Sequence, residues 1–142
     1  MKETWIAAIV AAAAFGIFYV LSERKFRDAA SRLGGRRRSP SREEFIELLS
    51  NNCERDIAEF LWEELKIFYR PRLMPHPDDN FIEDLPIDHD EPNDWLARFC
   101  GMQGLQEQDF APWPLEMPAT IRNFATWLAV GRRRLIRASH HS

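Results

Sequence analysis

Histidine and carboxylate side chains are concentrated within residues 76–94. Imidazole and carboxylate groups are suitable ligands for zinc or manganese, so a loop and a helix start that brought them together would hold a divalent metal. Their spacing matches no metal motif, and Asp at a helix start commonly caps backbone amides. We therefore expect no metal site, and a small metal-dependent enzyme is the alternative. The residues are His76, Asp78, Asp79, Asp88, His89, Asp90 and Asp94.

The short motifs that place a nucleophile beside a base, or that form a phosphate-binding loop, are missing from the chain: GxSxG, HExxH, GxxxxGK[ST] and GxGxxG. Cys53 and Cys100 form no CxxC pair, and both fall on apolar helix faces, where a buried thiol is the expected state. These patterns favour a protein that is not an enzyme and that has no cofactor.

Charge is distributed in three blocks whose sum is the formal net charge of -3. Residues 1–42 hold nine Lys and Arg against three Asp and Glu, a net charge of +6, and residues 111–142 have a net charge of +4. Residues 43–110 hold 18 acidic against five basic residues, a net charge of -13. Because contacts to phosphate require Lys or Arg on the binding face, the acidic block argues against nucleic acid and favours a basic protein partner.

An unbroken apolar run of 17 residues covers 5–21. A helix of this length rises about 25 Å, the short end of what crosses a bilayer. Trp5 and Tyr19 lie near its two ends, where amphipathic rings prefer the interface. A cleavable signal peptide is one alternative, although Glu3 offsets the usual positive start, and a buried core helix is the other. We expect residues 1–22 to be a single-pass membrane anchor.

Eight basic residues follow the apolar run within residues 23–42, against two acidic ones. Positive charge beside a span stays in the cytoplasm, which predicts an N terminus outside and residues 22–142 inside. Gly, Ser, Pro and Arg over 31–41, without apolar periodicity, predict a flexible linker near anionic lipid headgroups. The expected division is a basic juxtamembrane linker over 23–41 and a soluble domain over 42–138.

The soluble domain is predicted to be an all-α helical bundle, because no segment alternates with period two. Ser41 and Glu44 match a capping box, and apolar residues then recur at spacings of three and four to Phe68, with an interruption near 51–52 as an alternative. A further helix is expected after residues 88–92, with aspartates as its caps.

The last helix is expected to begin after the cap Thr120. Trp113, in a Pro-rich connection over 101–118, is predicted to pack over the bundle, and Phe81 and Leu85 are predicted as core residues. Four arginines are expected to stabilise the last turns of this helix through its dipole, namely Arg132, Arg133, Arg134 and Arg137.

Residues 80–91 (NFIEDLPIDHDE) resemble the acyl carrier protein signature, in which aromatic, aliphatic, Glu, Asp and Leu residues precede an Asp-Ser-Leu sequence that opens helix II. The surrounding order of helices is similar as well, over residues 53–130. The chain looks closest to an atypical, functionally uncharacterised bacterial branch of carrier-like proteins. This resemblance implies a small acyl-carrier-like bundle, here attached to a bacterial inner membrane.

His89 stands where carrier proteins have the serine that carries phosphopantetheine. That group is attached through a phosphodiester to the serine hydroxyl, which an imidazole cannot replace, and Asp90 stands where a leucine helps to dock partner enzymes. No Ser or Thr lies between Ser50 and Thr120 to substitute for it. The resemblance therefore implies a carrier-like module without a phosphopantetheine site, and an atypical carrier modified elsewhere is a further alternative.

Seven acidic residues within 78–91 exceed what solubility requires. A solvated face without a partner is one interpretation of this cluster. The other is an electrostatic docking surface that presents the start of the helix to a basic protein partner, as in a docking or regulatory module. The residues predicted to bind the partner are Asp84, Asp88, Asp90, Glu91 and Asp94.

Overall fold

The structure is a computed structural model that describes residues 2–35, 37–69, 73–85 and 87–141. Its elements within these ranges are helices α1 (Lys2–Gly34), α2 (Arg42–Leu48), α3 (Arg55–Leu65), α4 (Glu91–Gln103) and α5 (Ile121–His140), with 3-10 turns at Lys66–Phe68 and Glu107–Asp109. Over the same ranges the chain forms no strand, and its one extended pairing is an isolated bridge between Asn80 and Thr120. The predicted all-α class is confirmed for the described chain.

Helix α1 is long and apolar enough over Glu3–Lys25 to cross a membrane, by length and composition, with a mean hydropathy of 2.2. The apolar window of this helix has no residue buried inside the protein, among those that the structure describes. A buried core helix, one of the two alternatives, would have most of this window buried inside the protein. Helix α1 then continues past the apolar run, and its 33 residues correspond to about 50 Å.

The predicted capping box forms at the start of α2. Ser41 Oγ accepts the backbone N–H of Glu44 at 3.2 Å, and Glu44 Oε2 accepts that of Ser41 at 3.3 Å. The prediction of one helix to Phe68 is wrong and its alternative, an interruption near 51–52, is correct, because a turn over residues 49–54 separates α2 from α3. The two helices share one buried face, in which Leu49 and Leu61 are fully covered.

Helix α4 starts with Pro92 in its first turn, as predicted, but without the predicted aspartate cap. Asp90 precedes the helix with φ -84° and ψ -17°, and within the described structure its carboxylate makes no cap hydrogen bond. A side-chain cap requires an extended backbone at this position, and Asp90 is already helical. The helix ends at Gln103 and is capped by Gly104, whose φ of +69° is accessible to glycine with little strain.

The start of α5 is joined to the loop that precedes α4. Thr120 Oγ1 accepts the N–H of Asn123 at 3.1 Å, which confirms the predicted cap. The next free amides are accepted by the loop, Ile121 N–H by the carbonyl of Asp79 at 3.1 Å and Arg122 N–H by the carbonyl of Pro77 at 2.7 Å. The loop therefore satisfies donors that an isolated helix would leave to water.

Aromatic rings form the centre of the bundle. Trp95 is 1% exposed, and its ring centroid lies 5.6 Å from that of Phe81 and 5.8 Å from that of Phe124. Phe81 and Leu85 are buried, which confirms both core predictions. The thiols of Cys53 and Cys100 are free and buried as predicted, and burial raises the pKa of Cys53 to about 11. These contacts hold α3, α4, α5 and the loop as one core.

Residues 31–41 differ from the flexible linker expected there. The first of them belong to α1, which ends at Gly34, and the side chain of Leu33 is buried in the core cluster. The side chain of Arg37 is 13% exposed and binds Asp79. Arg36 lies outside the described residues. The expectation of a flexible linker is therefore wrong where the structure describes this segment, because apolar and ionic contacts attach it to the domain.

Arg132 also departs from the sequence-based expectations. We expected this side chain to stabilise the last turns of the helix through its dipole, yet α5 continues to His140, so Arg132 lies in mid-helix, and the residue is 9% exposed. Its guanidinium binds both oxygens of Asp56, at 2.5 and 3.0 Å, and Gln103 Oε1 at 3.2 Å. This hydrogen bonding, followed by the charge of Arg132, lowers the pKa of Asp56 against the opposing effect of burial. Arg132 thus joins α5 to the start of α3.

Candidate functional site

The five residues predicted to bind a partner lie in the segment that leads into α4 and in its first turn. Asp88, Asp90 and Asp94 are exposed, whereas Asp84 and Glu91 are half-buried. We call these five residues the acidic surface. Asp84 also has a structural contact, because its Oδ2 accepts the N–H of Asn80 at 2.9 Å. The exposed charge of the acidic surface is therefore concentrated over residues 88–94.

The start of α4 favours negative charge for structural reasons as well. Unpaired N–H groups give a helix N terminus a partial positive charge, which Glu91 and Asp94 in the first turn complement. The nearby cation Arg98 is held by Glu64 of α3, at 2.6 Å between Nη2 and Oε2. That hydrogen bond raises the pKa of Arg98, and the charges of Asp94 and Glu91 contribute less. Arg98 therefore compensates the charge of Glu64 more directly than it compensates the charge of the acidic surface.

His89 is exposed in the turn immediately before α4. This is the position that the resemblance assigns to the phosphopantetheine serine of carrier proteins. Any group attached here would project from the surface between Asp88 and Asp90, both of which are exposed. The imidazole supplies no hydroxyl for a phosphodiester at this point.

The histidines and aspartates of residues 76–94 do not form one cluster. In the part of the chain that the structure describes, no group of three His, Cys, Asp or Glu side chains is arranged to hold a metal ion. Asp78 binds Arg122, with 2.8 Å between Oδ1 and Nε, and Asp79 binds Arg37. His76 Nδ1 accepts the N–H of Asp78 at 3.1 Å. The alternative of a metal-dependent enzyme therefore lacks the ligand cluster on which it was based, within the described residues.

Asp79 is the most enclosed carboxylate of this loop, at 2% exposure. Its Oδ2 accepts three hydrogen bonds, from Arg37 Nη2 at 2.6 Å, from the hydroxyl of Tyr69 at 2.5 Å and from the N–H of His76 at 3.1 Å. Burial and the negative charge of Asp79 both raise the pKa of Tyr69, so the phenol stays protonated as a donor. Asp79 thus organises the loop, and sequence reasoning had grouped it with candidate ligands instead.

A cavity of about 210 Å³ opens beside the acidic surface, and we call it the aromatic pocket. Four of its lining side chains are the aromatic residues Phe81, Trp113, Phe124 and Trp127. Helix α4 contributes Pro92, Asn93 and Leu96, and the remaining lining residues are Ile82 and Ala119. These residues belong to α4, α5, the loop before α4 and the connection before α5.

The walls of the aromatic pocket are held in place by contacts of their own. Trp113 is half-buried, and its Nε1 donates to the carbonyl of Met117 at 3.2 Å, which closes the Pro-rich connection on itself. The Trp113 ring lies 5.6 Å from that of Trp127 and 5.9 Å from that of Phe124. The prediction that Trp113 packs over the bundle is confirmed. The rings of Trp113, Phe124 and Trp127 therefore pack against one another as one group.

The aromatic pocket and the acidic surface share the first turns of α4. Pro92 and Asn93 line the pocket, and they lie in the chain between Glu91 and Asp94 of the acidic surface. Sequence reasoning identified the acidic residues but missed the pocket. The available signal was the i, i+3 spacing of Phe124 and Trp127, which places two large rings on one face of α5.

Comparisons of this chain with protein-family models, with curated proteins and with solved structures found no match. The candidate site is therefore defined by its geometry. It consists of an exposed acidic surface at a helix start and an adjoining pocket with preformed aromatic walls.

Proposed function

We propose that this protein is a membrane-anchored, non-catalytic docking or regulatory module. Its acidic surface binds a basic protein partner on the cytoplasmic side of a bacterial inner membrane. The observation that carries the proposal is the exposure of Asp88, Asp90 and Asp94 directly beside the aromatic pocket. A charged surface next to an apolar pocket combines the two components of a protein-binding site, electrostatic attraction and burial of apolar area.

The charge of the acidic surface is not cancelled by the arginines that pack in the domain. Arg37, Arg122 and Arg132 are bound to Asp79, Asp78 and Asp56 respectively. Part of the net charge of -13 over residues 43–110 is therefore carried by the exposed carboxylates of Asp88, Asp90 and Asp94. At physiological salt such attraction acts over about 8 Å, so it accelerates association more than it adds affinity.

The anchor places the domain close to the membrane in the proposal. Nine residues separate Lys25, at the end of the candidate span, from Gly34, which corresponds to about 14 Å of helix. Leu33 packs in the domain core, so the domain would lie within this distance of the bilayer. Four exposed basic residues of α1 at or beyond the end of the apolar run are available to anionic headgroups, namely Arg24, Lys25, Arg27 and Arg32.

The absence of a prosthetic group is a separate part of the proposal, supported by the chemistry of His89. Incubation with coenzyme A and a phosphopantetheinyl transferase should leave the intact mass of the protein unchanged. The double substitution His89→Ser with Asp90→Leu would restore the residues of the carrier signature, so some labelling is expected if the local backbone is carrier-like. Labelling of the unsubstituted protein would instead assign the alternative of an atypical acyl carrier.

Charge reversal tests the docking function. We define the acidic-surface variant as Asp88→Lys with Asp90→Lys and Asp94→Lys. The control variant makes the same change in net charge at exposed acidic residues elsewhere, with Glu47→Lys, Glu107→Lys and Asp109→Lys. Each protein is purified from detergent-solubilised native membranes at graded salt, bound proteins are identified by mass spectrometry, and thermal melting verifies folding.

We expect the unsubstituted protein and the control variant to retain the same basic protein at low salt and to release it as salt rises. The acidic-surface variant should lose that protein while it remains folded. Equal retention by all three proteins would show that the acidic surface is a solvated face, and the docking function would be wrong.

A further inference from the structure

We infer that the aromatic pocket binds one large apolar side chain of the basic partner. The partner's contact segment would then carry a Leu, Phe or Trp residue flanked by Lys or Arg. This inference rests on the proposed docking function and specifies the chemistry of the partner. It assigns the two halves of the site different tasks, with attraction at the acidic surface and anchoring in the pocket.

The size of the pocket favours a single side chain over a small-molecule ligand. Its volume is about 210 Å³, whereas sites for drug-sized ligands or cofactors usually measure about 300–1,000 Å³. In protein interfaces, a few anchor side chains that enter such well-packed pockets provide most of the binding energy. The cavity is therefore of the scale at which one residue of a partner is bound.

The lining of the pocket selects an apolar occupant. Four of its nine lining residues are aromatic, Phe81, Trp113, Phe124 and Trp127, and Asn93 is the polar side chain among the lining residues. The Phe81 and Phe124 ring centroids are 5.7 Å apart, and those of Phe124 and Trp127 are also 5.7 Å apart. Because these rings are already held by one another, little conformational entropy is lost when a side chain enters.

Charge beside the pocket determines what must flank the anchor. On α4, Asn93 and Leu96 line the pocket, while Asp90 and Asp94 are exposed around them. A segment whose apolar residue occupies the pocket therefore passes these carboxylates. Positive residues on either side of the anchor would be attracted there, whereas acidic ones would be repelled.

Defined peptides test this inference without knowledge of the natural partner. The probe is a helical peptide of Lys and Ala with a single central Leu, and its matched control has Ala in place of that Leu. Affinities for the full-length protein in detergent micelles are measured by titration calorimetry at low salt. The change in tryptophan fluorescence provides an independent readout of binding, since two of the five tryptophans, Trp113 and Trp127, line the pocket.

Two variants of the protein separate the pocket from its surroundings. Ala119→Leu adds a branched side chain to the wall of the pocket, and Ala111→Leu makes the same change at an exposed position of the same connection. We expect the Leu peptide to bind the unsubstituted protein and the Ala111→Leu protein about tenfold to a hundredfold more tightly than the Ala peptide. The Ala119→Leu protein should bind both peptides equally.

The acidic-surface variant distinguishes failure of the inference from failure of the docking function. It should weaken both peptides to the same degree and keep the preference for Leu. Equal binding of the two peptides to the unsubstituted protein would overturn the inference, while a loss of both with the acidic-surface variant would leave the docking function intact. An unchanged preference for the Leu peptide in the Ala119→Leu protein would also overturn the inference, because the filled pocket could then not be where the Leu side chain binds.

Discussion

Arg37 and Asp79, which are 42 residues apart in the chain, form a bidentate ion pair that is almost removed from solvent. Arg37 Nε lies 2.6 Å from Oδ1, Nη2 lies 2.6 Å from Oδ2, and the side chains are 13% and 2% exposed. The carbonyl of Asp79 also accepts the first amide of α5, that of Ile121. Arg37, which follows the candidate membrane span, is thereby bound to the loop before α4. That loop contacts the start of α5 and leads in the chain to the acidic surface.

Removal of either member of this pair should destabilise the protein strongly. Arg37→Ala or Asp79→Ala would leave a charge or its polar partners without compensation, at a cost of about 3–5 kcal/mol in the free energy of unfolding. In the double variant the two losses should fall short of additivity by about 0.5–3 kcal/mol. Urea unfolding of the protein in detergent micelles measures these differences.

Arg38 supplies the matched control for this experiment. Its side chain is 84% exposed and pairs with Glu44 at the surface, so Arg38→Ala should change stability by less than about 1 kcal/mol. Equal effects of Arg37→Ala and Arg38→Ala would contradict the buried pair and the attachment of residue 37 to the domain.

Two Gly→Ala substitutions in helices should have opposite effects. A Cβ at Gly131 would lie 2.5 Å from Phe110 Cε1, so Gly131→Ala should cost about 1–3 kcal/mol by overpacking. A Cβ at Gly101 meets nothing within 4 Å, so Gly101→Ala should gain up to about 1 kcal/mol from helix propensity. Urea denaturation measures both, and stabilisation by Gly131→Ala would refute the packing of Phe110 on α5.

Acid should weaken the loop that contains His76. Burial, and then the charge of Arg37, lower the pKa of His76, and its unprotonated Nδ1 accepts the N–H of Asp78. The folded state therefore binds this proton less readily than the unfolded state. The stability that His76 contributes is fully present above pH about 6.5 and declines as pH falls from there through the lower folded pKa.

Replacement of the imidazole isolates this effect. The unfolding midpoint of the unsubstituted protein should fall more between pH 8 and pH 5 than that of His76→Asn, whose side chain cannot be protonated over this range. A larger fall in the His76→Asn protein would show that the sign of the linkage is wrong.

Orientation in the membrane provides a further prediction. Basic residues follow the candidate span, so a reporter fused to the C terminus should be active only if it functions in the cytoplasm. Paired fusions to a cytoplasm-dependent and a periplasm-dependent enzyme measure this directly. Activity of the periplasm-dependent fusion would reverse the proposed orientation and place the acidic surface outside.

Local signals in the sequence predicted where α2, α4 and α5 begin. Ser41, Glu44 and Thr120 cap helices through contacts three residues away, so their patterns are visible in a short window. The burial of Phe81 follows from its apolar character alone. The start of α4 was located correctly through Pro92, although its expected aspartate cap depended on a backbone conformation that no composition rule specifies.

Long-range contacts could not be predicted in this way. Arg132 binds Asp56 from 76 residues away, and a one-dimensional pattern places any arginine at the surface by default. The burial of Arg37 has the same explanation, since its partner lies in a distant loop. The aromatic pocket escaped prediction because Trp113 and Trp127 meet only when the connection folds over α5.

The docking function is tested most directly by photocrosslinking in intact cells. A photoreactive amino acid at Asn93, which is exposed on α4 and lines the aromatic pocket, reports what contacts the site. The account predicts an adduct with a basic protein in the otherwise unsubstituted background and in the control variant, and its loss in the acidic-surface variant at equal abundance. The same adduct at undiminished yield in the acidic-surface variant would contradict the account.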